Sequence, residues 1–168
     1  MSATTTCFDN TIASGNKAVV QDTIGHICTK LESLLSTIAR NGKLIQATRR
    51  IYGNSFNRQK LEQLCQDWEN YHFESLPQIQ ICCSEEIHGL NSTFSPRHQT
   101  IYLAQEYICW KSTQTWDILT ALLEAIGCFI DCEIDELHSG WGQGLILAES
   151  ICRTETNLNA SNNSETPT

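Results

Sequence analysis

No apolar run in this 168-residue chain approaches the roughly 18 residues a membrane span needs, so no crossing is expected. Positive charge is scarce as well: eleven Lys and Arg face nineteen Asp and Glu, a formal net charge of −8. That balance argues against nucleic acid as a main partner, because phosphate binding needs a basic patch. The basic cluster of Arg49-Arg50, with Lys43 and Arg58 nearby, is small and reads as solvated surface. The opening Met-Ser-Ala-Thr-Thr-Thr-Cys has no charged n-region and no apolar h-region, so a cytoplasmic protein is expected. There is no His-x-x-x-His pair, no Cys-x-x-Cys pair and no internal repeat. A phosphate loop is missing too, since Gly140-Trp141-Gly142-Gln143-Gly144 follows a helical pattern instead of a strand.

Cysteine, by contrast, is plentiful. Nine cysteines, at positions 7, 28, 65, 82, 83, 109, 128, 132 and 152, would suggest a disulfide scaffold in a small secreted protein. An odd count without a signal reads better as free thiols in a reducing compartment. Cys28, Cys65 and Cys109 fall where a small core residue is expected. Cys82 and Cys83 are neighbours on an expected strand and so point to opposite faces, which argues against one redox or chelating pair.

The chain divides into a polar, flexible arm over 1–16, one domain over 17–152 and a disordered polar tail over 153–168. From Lys17 to Arg40, Val20, Ile24, Ile27, Leu31, Leu34, Leu35 and Ile38 recur at helical spacing, and Asn41-Gly42 ends the pattern. A second helix is predicted over 57–71, with Asn57 as N-cap and Leu61, Leu64, Cys65 and Trp68 inward. Gln78 to Cys82 alternates polar and apolar, which predicts a half-buried strand. A single helical turn at Ser84–Ile87 ending at Gly89 follows, then a turn at Ser95–His98 and a strand at Thr100–Leu103. Helices are predicted at 106–110, 115–133 and 145–152. Helices with a small antiparallel sheet make the expected class α+β: a helical N-terminal half, the sheet, a long helix and a closing helix.

On the long helix, Leu119, Leu122, Ile126, Phe129 and Ile130 form the core stripe. Asp117, Glu124, Cys128, Asp131 and Asp135 gather almost opposite, within roughly 60° on the 3.6-residue wheel. Such a stripe either faces solvent or lines a cleft. Glu124 and Cys128 are one turn apart, with Asp131 or Cys132 a turn further on, and carboxylate and thiolate are both zinc ligands. Cys128 and Cys132 could alternatively serve redox or regulatory thiol chemistry. The five histidines, His26, His72, His88, His98 and His138, are scattered; His88 before Gly89 suits a turn. Trp141, between two glycines, is a candidate partner anchor.

Several segments together carry a family resemblance. They are Tyr52-Gly53-Asn54-Ser55-Phe56, Leu76-Pro77-Gln78-Ile79-Gln80-Ile81, Ile87-His88-Gly89, Thr100-Ile101-Tyr102-Leu103-Ala104-Gln105-Glu106-Tyr107 and Leu122-Leu123-Glu124-Ala125-Ile126-Gly127-Cys128-Phe129-Ile130-Asp131. In order and spacing, from Tyr52 to Glu149, the chain resembles a zincin-like, metallopeptidase-like domain of cyanobacterial proteins, often found with hemolysin-type calcium-binding repeats. Family members look like Leu-Leu-x-Glu-Ile-Gly-His-x-x-Asp, with a Gly-Asp-Glu-Gly segment further on.

The resemblance implies a zincin-like fold and a defined set of positions. The first ligand maps to Glu124, the general base to Ala125 and the second ligand to Cys128, with Asp131 retained. The downstream Asp-Glu maps to Gly142 and Gln143, with Gly144 and Ala148 kept. A methyl group cannot accept a proton, and a lost general base alone costs about 10²–10⁴ in rate.

The expectation is therefore a pseudo-metallopeptidase, non-enzymatic and without a cofactor, that serves as a protein-binding or scaffold module around Glu124, Cys128, Asp131 and Trp141. Two alternatives stand beside it. One is a metal-dependent hydrolase with an atypical zinc site of Glu124, Cys128 and Asp131 or Cys132. The other is a thiol-based redox or regulatory protein.

Overall fold

The computed structural model describes residues 14–111, 114–134 and 144–151, with side chains of the first helix from Val20 onward. Trp141, Gly142, Gln143, His138, Asp135, Cys7 and Cys152 lie outside the described residues, as do most of the expected arm and the expected tail.

Helix α1 runs Ser14–Arg40, three residues longer at its start than the apolar pattern indicates. Its seven periodic apolar residues are all buried. The helix stops where a left-handed residue can close it: Gly42, at φ +65°, donates its N–H to the Ala39 carbonyl. A short second helix, α2 (Lys43–Tyr52), starts at once, in a stretch where the sequence reading placed no element. Its inward side is Leu44, Ala47, Thr48 and Tyr52, and Gly53 at φ +63° ends it. Helix α3 (Arg58–Glu69) buries Leu61, Leu64, Cys65 and Trp68 as expected. The Asn57 side chain accepts from the Lys60 N–H at 3.0 Å, satisfying one of the open donors of the first turn.

The sheet differs from expectation in a way that follows from one missed strand. Strands β1 (Gln78–Cys82) and β3 (Thr100–Ala104) are parallel, paired from Gln78 with Thr100 to Cys82 with Ala104. Strand β2 (Ser92–Ser95) lies between them in sequence and pairs antiparallel with β3, giving the order β1-β3-β2. Two strands joined by one reversal would be antiparallel; the extra strand adds a second reversal, so β3 returns parallel to β1. The sheet is mixed, and the expected antiparallel sheet is corrected accordingly. The 3-10 turn at Ser84–Ile87 matches the reading, and His88 at φ +56° with Gly89 at φ +77° turns the chain out of it.

Helix α4 (Gln105–Lys111) follows β3 directly, and α5 (Thr115–Ile134) is the long helix. A final helix, α6, covers residues 144–151 and buries Gly144, Leu147, Ala148 and Ile151 at three- and four-residue spacing. The architecture is α+β. Helices α1, α3 and α4 pack against α5, which also carries β2 and β3. On the sheet side Phe94 meets Phe129 edge-on at 5.7 Å, and the Ser92 hydroxyl donates to the Ala121 carbonyl at 2.7 Å. No helix among the described residues is long and apolar enough to cross a membrane.

Candidate functional site

Helix α5 is enclosed on more sides than its sequence pattern suggests. Thirteen of its twenty residues are buried, so it is a central helix and not an amphipathic surface one. The expected core stripe of Leu119, Leu122, Ile126, Phe129 and Ile130 is buried, and so are Leu123, Ala125 and Gly127.

The acidic stripe is split as a result. Glu124 and Cys132 are exposed and Asp117 is partly exposed, whereas Cys128 and Asp131 are 7% and 6% exposed. A single solvent-facing stripe is therefore not what forms. Its middle is covered because a second helix crosses it. A Cβ added at Gly127 would collide with the Gly144 carbonyl oxygen, and one added at Gly144 would come within 2.7 Å of the Gly127 carbonyl. Only a pair of glycines allows two backbones this close, and Ala148 continues the contact one turn later. Gly144 and Ala148 thus have a packing reason. The chain just after Gly142 and Gln143 returns to Gly127 and Cys128.

Asp131 owes its burial to a partner that no local pattern reveals. The Tyr52 hydroxyl, at the end of α2 and 79 residues away, donates to its carboxylate at 2.5 Å. A buried carboxylate needs such donors to offset its lost hydration. The neighbouring loop is tied down as well: Asn57 N–H donates to the Ile134 carbonyl at 2.7 Å, and Lys60 lies 3.6 Å from Glu133. The start of α3 therefore closes the C-terminal end of α5.

The electrostatics of the stripe favour protons over thiolates. Burial pushes the Cys128 thiol up to about 11, and the charges of Asp131, Cys132 and Glu124 push in the same direction. A nucleophilic or redox-active cysteine needs the reverse, a cation or helix N-terminus that favours the thiolate. Glu124 faces outward, yet the surrounding protein bulk lifts its carboxyl above its ordinary value. Ala125, at the position of the general base in the resemblance, is 3% exposed and belongs to the core. Among the described residues no three His, Cys, Asp or Glu side chains converge on one point. Glu124, Cys128, Asp131 and Cys132 share a helix, but they are divided between its surface and its interior.

The remaining candidates lie elsewhere. Cys28 and Cys65 are buried as expected, and burial lifts Cys65 to about 12. Cys109 is exposed instead of buried, because α4 turns only Ile108 fully inward. Cys82 is buried and its neighbour Cys83 exposed, on opposite faces as the strand geometry requires. His26, His72, His88 and His98 are all exposed. His98 serves the β2–β3 turn: its Nδ1 lies 3.3 Å from the Ser95 hydroxyl and 3.2 Å from that of Tyr102.

Comparison of the chain with models of known protein families, with curated proteins and with solved structures found no match.

Proposed function

We propose that the chain is a catalytically degenerate, metallopeptidase-like protein that acts through binding, as an interaction or scaffold module on a zincin-like fold. The observation that carries this reading is Ala125. It stands where the resemblance requires the proton-accepting carboxylate, and it is packed into the core between Glu124 and a protonated Cys128. No water at that spot could pass its proton to a methyl group. The return of residue 144 to Gly127 supports the alignment with the family, because the resemblance maps the downstream acid to the two residues just before it.

The partner-facing part of this region narrows to Glu124 and Cys132 on α5 and to Leu145 and Ile146 of α6, two adjacent apolar side chains about half exposed. Cys128 and Asp131 serve the interior instead.

The test is metal content and peptide cleavage by protein purified without chelator. Substoichiometric zinc and no EDTA-sensitive cleavage are expected. Near-stoichiometric zinc that disappears in Cys128→Ser would favour the atypical metal site instead. Chelator-sensitive cleavage of a peptide would overturn the reading outright.

A further inference from the structure

Charge is unevenly distributed along this chain. Between Glu32 and Glu62 there is no Asp or Glu, and six of the eleven basic residues fall there. Everywhere else acids outnumber bases nineteen to five. The structure gathers the middle of that segment on one element. Lys43, Gln46, Arg49 and Arg50 of α2 fall within about 120° on the helical wheel, and Arg40 sits just before them at the end of α1. Arg40, Arg49 and Arg50 are exposed and Lys43 is half-buried, while Leu44, Ala47, Thr48 and Tyr52 fix the other side of α2 in the core.

Other cations of the segment are already engaged: Arg58 with Glu62 at 2.6 Å, and Lys60 with Glu133. Lys43, Arg49 and Arg50 have no acidic partner among the described residues.

We infer that this face of α2 is a docking surface for an acidic segment of a partner protein. Two arginines present planar forks that match carboxylates, and Lys43 adds a point charge within the same 10-residue helix. The face offers no aromatic side chain on which a base could stack, as single-stranded nucleic acid requires. Leu44, Ala47 and Tyr52 are buried, and Ile45 and Ile51 are partly buried against the core, so it has little to insert into a bilayer. A planar anionic membrane or a long polyanion would also meet the acidic remainder of the molecule, whereas a short acidic peptide need cover only α2. The inference does not depend on the reading of α5 and would hold for an active hydrolase as well.

The test uses the full chain and a blocked ten-residue peptide of alternating Glu and Gly, in low salt. Binding is expected by fluorescence anisotropy, with coupling by a zero-length carbodiimide cross-linker mapping to Lys43 and not to the more exposed Lys30. Lys43→Glu, Arg49→Glu and Arg50→Glu combined should weaken the peptide roughly tenfold, the joint loss of three exposed charge pairs. An unchanged melting temperature in that variant assigns the loss to the surface itself. No peptide binding, equal binding by the charge-reversed variant, or cross-links spread evenly over Lys30 and Lys43 would overturn the proposal. So would tighter binding of a short DNA oligonucleotide or of phosphatidylserine vesicles, or self-association that the variant abolishes.

Discussion

Helices α2 and α5 meet at the hydrogen bond between Tyr52 and Asp131, and they are built on opposite plans. In α2 one side is buried and the other is a row of cations in water. In α5 the core wraps nearly all round, and even its acidic and thiol positions are drawn inside at Cys128 and Asp131. Both helices put charged or reactive groups at helical spacing. What those groups can do depends on whether another element lies across them. Among the described residues nothing covers Arg49 and Arg50, which are exposed; α6 crosses Cys128, so its thiol keeps its proton.

The contrast can be broken most forcefully at Ala125. Ala125→Glu puts a carboxylate into the core without a partner, and a loss of about 3–5 kcal/mol is expected in urea unfolding. A well-folded variant that gains chelator-sensitive peptidase activity would mean that the site is open after all.

Gly127→Ala should come next, at about 3 kcal/mol, because its methyl meets backbone at Gly144 that no rotamer change can clear. The same substitution at Gly25, where a Cβ meets nothing within 4 Å, should be neutral or stabilising and serves as the control.

Tyr52→Phe removes one donor from buried Asp131 and should cost about 1–3 kcal/mol. Thermal melts of this variant at several pH values would show whether the loss is greatest where the carboxylate is charged.

A pH series sharpens the difference further. Cys65 and Cys128 hold their protons more tightly when folded, at about 12 and about 11, than the ordinary thiol value of 9.0. The stability this contributes is complete below pH 9 and is lost as pH climbs through the folded values. The melting temperature should therefore fall above pH 9, and less steeply in Cys65→Ser with Cys128→Ser. Smallest of all, Arg49→Gln with Arg50→Gln should change stability by no more than about 0.5 kcal/mol, as expected of surface positions.

Much of this architecture is legible in the order of residues. The periodic apolar residues of α1, the Asn57 cap of α3 and the alternation in β1 act through local geometry, and each element forms where its pattern lies. Helix α2 leaves a weaker trace: Leu44, Ala47, Thr48 and Ile51 carry a helical period between two glycines, but over ten residues with polar side chains between them. Strand β2 was harder, because Ser-Thr-Phe-Ser has a single large apolar residue to mark it. Without it the direction of β3 could not be inferred.

At the candidate site the spacing of Glu124, Cys128, Asp131 and Cys132 on one helix followed from sequence alone, since the 3.6-residue turn is a local property. Which of those groups meets water did not follow. Burial is set by what packs on the outer face, and here that is a glycine 17 positions away at Gly144 and a tyrosine 79 positions away at Tyr52. Contacts of that range leave no periodic trace in either segment, so only the assembled core decides them.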